Sequence, residues 1–106
     1  MITGNWETRK IKIDGKILSP MRSQQVWNHS PDGFCWSYGG SGPAQLALAL
    51  LLEFGVENDI ASKNHQTFKF DVIANLPGSD FEIENKVVED WIEKNIVLEM
   101  EEEIGD

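Results

Sequence analysis

An α+β fold is predicted: an antiparallel sheet of three to five strands packed on a central buried helix, with two further helices. Three observations carry this reading. Isoleucine alternates with lysine on either side of Asp14-Gly15, the segment from Ala44 to Leu52 is Ala or Leu everywhere except Gln45, and two later segments repeat their apolar residues at helical spacing. A chain of 106 residues supports one domain, 1–106, because smaller pieces bury too little apolar surface to be stable alone. Residues 97–106 are expected to form a flexible acidic tail, or a last edge strand beginning at Ile96.

The hairpin is the first element. Thr8 to Ile13 and Lys16 to Leu18 flank Asp14-Gly15, a preferred pair for a two-residue turn whose central positions both need φ > 0. Pro20 closes the second strand, and Ser23 to Trp27 is expected to add a third. After the turn Ser30-Pro31-Asp32-Gly33, the residues Phe34, Trp36 and Tyr38 alternate with Cys35 and Ser37, which predicts a strand with one aromatic face. The central helix is placed at 43–54. Pro43 suits its first turn, Gly42 its N-cap, Gln45 a capping-box position and Gly55 its C′ position. A helix apolar on all sides is buried on all sides.

In the segment 58–76, Ala61, His65, Phe68, Val72 and Leu76 fall at helical spacing, while Phe68, Phe70 and Val72 also alternate like a strand. Length favours a helix over about 59–76, ended by Pro77-Gly78. Phe81 to Glu84 reads as a short strand. Asn85 is expected to cap a last helix over 85–95 with the stripe Val87, Val88, Trp91 and Ile92.

Charge and composition narrow the function. The net charge is −9, and from Glu53 onward four lysines face fifteen acids. Such a surface repels phosphate backbones, so direct nucleic-acid binding is disfavoured, while a basic protein surface is a suitable partner. The longest apolar run, Leu46 to Leu52, is far shorter than the roughly 20 residues that span a bilayer. The N-terminal residues lack the apolar stretch of a signal peptide, which points to the cytoplasm. One cysteine and two histidines argue against a disulfide or a structural zinc site, and no cofactor is expected.

Two surfaces are candidate sites. Gly39, Gly40, Ser41 and Gly42 precede a helix, where backbone N–H groups and the helix dipole favour an anion. The turn lacks the Lys-Ser/Thr of a P-loop and the third glycine of the dinucleotide fingerprint, and no cation is close in sequence, so a tight corner is the simpler reading. The second surface is acidic: Glu82, Glu84, Glu89, Asp90 and Glu93, extended by Glu99, Glu101, Glu102 and Glu103. Carboxylates so spaced imitate a nucleic-acid backbone and speed association with a basic partner. Catalytic readings are weaker. Cys35 with His29 or His65 is the available thiol pair, yet Cys35 falls mid-strand, and Ser41 is not in a G-x-S-x-G elbow.

Across Asn28 to Phe34 and Trp36-Ser37-Tyr38-Gly39-Gly40-Ser41-Gly42-Pro43-Ala44-Gln45-Leu46-Ala47-Leu48-Ala49 the chain resembles a family of small uncharacterised proteins of phages, prophages and mobile elements, with the signature W-G-Y-G-G-S-G-P-A-Q-L-A-L-A. The stretches Phe68 to Pro77 and the Trp91 helix are similar in order and spacing. Ser37 stands where that signature has glycine, implying a less unusual backbone there. The resemblance transfers no catalytic residue. It implies a genomic setting in which compact acidic proteins act against host defence. The expected function is therefore a non-catalytic interaction module of phage or mobile-element origin. Its partner would be a basic host protein surface, in the sharpest form a defence nuclease inhibited as by an anti-CRISPR protein. The alternative is a small-ligand or nucleotide-binding module built on Gly39 to Gly42.

Overall fold

The computed structural model describes residues 1–97 and has the expected α+β architecture: one antiparallel sheet and four helices. The strands are β1 (Ile2–Gly4), β2 (Ile11–Ile13), β3 (Lys16–Ile17) and β4 (Phe81–Ile83), in the spatial order β3-β2-β1-β4. The helices are α1 (Met21–Val26), α2 (Ser41–Glu53), α3 (Asn58–Asp71) and α4 (Asn85–Ile92).

The β2–β3 hairpin forms as its sequence dictates. Asp14 and Gly15 take φ of 51° and 83°, the left-handed values its two-residue turn requires. Strand β1 went unread, because three residues, Ile-Thr-Gly, are too few to show a period. It is nevertheless central, pairing Ile2 with Ile13 on one side and with Ile83 on the other. The ring of Phe81 lies where a side chain at Gly4 would be, so only glycine fits at that point of the strand. Thr3, Lys12 and Glu82 share the other face in register, and Lys12 and Glu82 are exposed there.

Three expectations fail near the middle of the chain. Ser23 to Trp27 is not a strand; Ser23 to Val26 belong to α1, begun by Ser19 and Pro20, with the Ser23 hydroxyl donating to the Pro20 carbonyl at 2.8 Å. Phe34 to Tyr38 is not a strand either. Phe34 and Trp36 are buried, but Tyr38 is 52% exposed and Ser37 has φ of 82°. With no neighbouring strand, the Ser37 N–H donates to the Ile73 carbonyl and the Trp36 indole N–H to the Ser79 carbonyl. The alternation recorded side-chain burial, not ladder pairing. The Ser37 backbone is also left-handed, contrary to expectation, so this position keeps the conformation that glycine adopts at least cost.

Helix α2 is buried nearly throughout, as its composition requires. It packs chiefly against α3 and more lightly against α1 and α4, while the sheet adds Ile2, Ile11 and Phe81 to the same core. Its N-cap is Gly40 and not Gly42, which leaves Pro43 still within the first turn. At the other end Gly55 has φ of 96°, its N–H donates to the Leu52 carbonyl, and the Val56 N–H donates to the Leu51 carbonyl, a Schellman closure. Segment 58–76 divides into α3 and a 3₁₀ turn, Ile73–Asn75, so the helical reading holds over most of its length.

Strand β4 and helix α4 stand where they were expected, with Val88 and Trp91 in the core. Val87 departs from the expected stripe and is 40% exposed. Asn85 is not the cap; Glu84 is. The Asn85 amide instead donates to both carboxylate oxygens of Asp14, at 3.2 and 3.0 Å. The Met1 ammonium, 2.7 Å away, and this amide hold the Asp14 carboxyl below its ordinary pKa. After α4 the chain takes a π-helical turn, Glu93–Val97, in which Ile96 is buried, so Ile96 begins no edge strand. The rest of the expected acidic tail lies outside the described residues.

Gln45 does not form a capping box. It is 0% exposed, and its Oε1 accepts the backbone N–H groups of His29 and Ser30 at 2.8 and 3.0 Å. Its Nε2 donates to the Ser23 hydroxyl at 2.8 Å and the Trp27 carbonyl at 3.1 Å. Gln45→Leu would keep the volume and orphan these groups, at a cost of about 3 kcal/mol. Urea unfolding should show that loss, and a variant as stable as the parent would contradict the assignment.

Candidate functional site

The glycine turn is a place of close approach. A Cβ at Gly42 would stand 2.7 Å from the Cys35 Cβ and 3.1 Å from the Cys35 backbone nitrogen. One at Gly39 would stand 2.9 Å from the Phe70 ring, and one at Gly40 would strike the Tyr38 ring. Three different contacts therefore account for three glycines. Ser41, between them, is exposed at the first position of α2.

The fold supplies the cation that the neighbouring sequence lacks. Lys69, from α3, is only 5% exposed, and its Nζ donates to the Gly39 carbonyl at 3.0 Å while lying 4.1 Å from the Phe70 ring centre. A second cation is close by: the Arg9 guanidinium lies 3.6 Å from the Trp6 ring centre and 5.7 Å from that of Trp36, and its N–H donates to the Trp6 carbonyl. Arg9 has φ of 61°, in the left-handed region. Burial, and then Cys35, push the Tyr38 phenol above its ordinary pKa, and Arg9 acts in the other direction. The turn is thus rimmed by two half-exposed aromatics, Tyr38 and Phe70, with a buried ammonium beneath it.

A second polar cluster joins residues that are 36 positions apart. The Nε2 atoms of His29 and His65 face each other at 2.8 Å. His65 is fully buried, and its Nδ1 donates to the carbonyls of Ser62 at 2.7 Å and Ala61 at 3.2 Å. Carbonyls only accept, so Nδ1 carries the proton and the neutral ring presents a lone pair at Nε2. Trp27 stacks on His29 with ring centres 4.6 Å apart and meets His65 edge-on at 5.4 Å. Burial lowers both imidazole pKa values; His65 and then Lys69 lower that of His29 further, whereas at His65 the hydrogen bonds to Ser62 and Ala61 oppose the shift and Lys69 adds to it. The sequence held both histidines as isolated residues. Their spacing in sequence did not signal the pairing, and Gln45, which positions His29, was read as a capping residue.

Cys35 is partly exposed, and its Sγ has a weak contact to the Trp36 carbonyl at 3.7 Å. The histidine rings are bonded to each other, so the structure does not assemble the thiol–imidazole pair. Among the described residues, no group of three His, Cys, Asp or Glu converges as a metal site, and no helix is long and apolar enough to cross a membrane.

The acidic residues fall into two groups. Glu82 lines an open groove with Lys10, Lys12 and Asp80, where charges of both signs mix. Glu89, Asp90 and Glu93 project from α4 and the turn after it, and Glu84 from the α4 N-cap; all four are exposed. Asp90 pairs with Lys86 at 3.3 Å. Glu101, Glu102 and Glu103 lie outside the described residues.

The chain belongs to a family described as a family of unknown function (DUF6166), whose profile matches residues 3–94. No curated protein and no solved structure matches it. The matched span includes the glycine turn, both histidines and α4.

Within this frame the glycines are separable by what they meet. Gly42→Ala would press against Cys35 backbone and side chain, neither free to move, and should cost about 2 kcal/mol. Gly40→Ala meets a ring that is half in solvent and can turn away, so it should cost less than about 1 kcal/mol. Denaturation midpoints of the two variants test this, and equal losses would contradict it.

Proposed function

We propose that this chain is a non-catalytic interaction module of phage or mobile-element origin whose acidic α4 surface meets a basic surface on a host protein. One observation carries the reading. Glu84, Glu89, Asp90 and Glu93 stand exposed along α4, from its N-cap to the turn that follows it, and among the described residues only Asp90 of these four has an ion-pair partner. Helix α4 is anchored from beneath by Val88 and by Trp91, whose indole N–H donates to Asp71 at 2.8 Å. The helix backbone that carries these charges is therefore anchored to the core, which lowers the ordering cost of association. A basic cleft built for nucleic acid, as in a defence nuclease, is the partner this surface suits, and anti-CRISPR-like inhibition is its sharpest form.

Reversing Glu89, Asp90 and Glu93 to lysine should slow association with the captured partner by tenfold or more and leave the melting temperature nearly unchanged. Affinity capture from host lysate, followed by binding kinetics at two salt concentrations, checks this. Unaltered kinetics would remove the proposal.

A second reading is favoured by one specific feature, the buried Lys69 ammonium under the Gly39–Gly42 turn at the start of α2. Backbone N–H groups of the turn together with Lys69 would hold the anionic group of a small ligand, such as a nucleotide phosphate. A thermal-shift screen over nucleotides should then give a rise that grows with ligand concentration and is absent in Lys69→Met. A flat response in the parent protein would count against this reading.

A further inference from the structure

The imidazole pair belongs to neither reading, and its geometry has a use of its own. His65 is oriented as metal-binding histidines are: Nδ1–H is tied to backbone carbonyls and the Nε2 lone pair points outward from them. The His29 backbone is equally fixed, because its N–H and that of Ser30 both donate to the buried Gln45 amide oxygen. Two nitrogen donors thus converge from separately anchored elements.

We propose that His29 and His65 form a two-imidazole site for a late first-row transition-metal ion such as Zn²⁺. The ion takes the place of the hydrogen bond between the two Nε2 atoms. In the neutral pair His29 donates its Nε2 proton to His65. When the ion binds, that proton passes to His29 Nδ1, so both Nε2 lone pairs face the metal and no net proton is lost. Metal–nitrogen bonds of about 2.0–2.1 Å at a tetrahedral angle place the two nitrogens about 3.3 Å apart. The observed 2.8 Å needs a half-ångström opening, which the partly exposed His29 ring and its half-exposed Trp27 cover can supply.

Nitrogen donors without carboxylate or thiolate select zinc, copper or nickel over magnesium or calcium. Among the described residues no third His, Cys, Asp or Glu converges on the pair, so water completes the coordination. The His65 Nδ1–H is held by the Ser62 and Ala61 carbonyls, so this ring already presents at Nε2 the lone pair that a metal requires. The Lys69 charge, which acts on both rings, opposes a dication and so weakens binding.

The test is a Zn²⁺ titration of the metal-stripped chain near neutral pH, by calorimetry and by NMR of the imidazole nitrogens. One ion per chain is expected, with shifts at the Nε2 atoms of both rings. His29→Gln should weaken binding about tenfold or more while its own spectrum shows the fold intact. The triple variant Glu89→Gln, Asp90→Asn, Glu93→Gln should bind as the parent does. The proposal is overturned by an absence of binding, by Nε2 signals that do not move, by unchanged affinity in His29→Gln, or by loss of binding in the acidic triple variant.

Discussion

A single buried amide, that of Gln45, draws the chain from Ser23 to Ser30 around itself. Helix α2 is otherwise Ala, Leu and Pro wherever it is buried, apart from Gly42, and an unpaired amide among those side chains would cost about 1–3 kcal/mol for each orphaned group. The fold therefore wraps polar backbone around it. Ser23 must turn its hydroxyl inward, which a short helix allows, and the Trp27 carbonyl and the His29 and Ser30 N–H groups must converge on the same point. Residues 23–30 take their shape from this demand together with the local hydrogen bonds of α1. A further result follows at no added cost, for once the His29 backbone is pinned, its ring falls against His65.

The segment after it obeys a different constraint, that of distance. From Cys35 to Gly42 the chain passes so close to itself and to α3 that side chains at three positions would collide. Trp36 is wholly buried among Trp6 and Phe81, with ring centres 5.3 and 4.9 Å away, and its indole N–H is tied to Ser79. To reach the start of α2 from that position the backbone must reverse, and Ser37 does so at φ of 82°. A non-glycine residue there carries strain of order 1 kcal/mol or more, which the surrounding contacts sustain. The stretch that looks most like a ligand loop in sequence is also the most crowded corner of the fold.

What the sequence made legible was local. Asp14-Gly15, the Ala–Leu run, Gly55 and the Phe81 strand each state their conformation within a few residues, and each formed as read. What escaped was settled at long range. β1 is a strand because Ile13 and Ile83 lie on either side of Ile2, and neither partner is visible from residues 1–7. Phe34 to Tyr38 alternates like a strand but has no strand to pair with. Gln45 sits at a capping position by sequence, yet its amide finds four stronger partners across the core. For the candidate sites the acidic residues and glycines were legible, whereas Lys69 under the turn and the facing imidazoles were not, since they depend on α3 crossing the loops before α2.

That crossing also explains how the molecule tolerates its charges. Lys69 is nearly buried and two imidazoles lie close enough to feel it, which would be costly were all three cationic. Burial favours the neutral form of both rings, whose Nε2 atoms face each other, while the Lys69 ammonium is held by the Gly39 carbonyl and the Phe70 ring face. The surplus of carboxylates, by contrast, is placed where water screens it, on α4 and around the sheet's outer groove. An acidic surface of this kind costs little to keep in water and releases its effect only when a basic partner excludes that water. The buried cation and the exposed acids are thus two answers to one requirement: a charge must either be solvated or be given a partner.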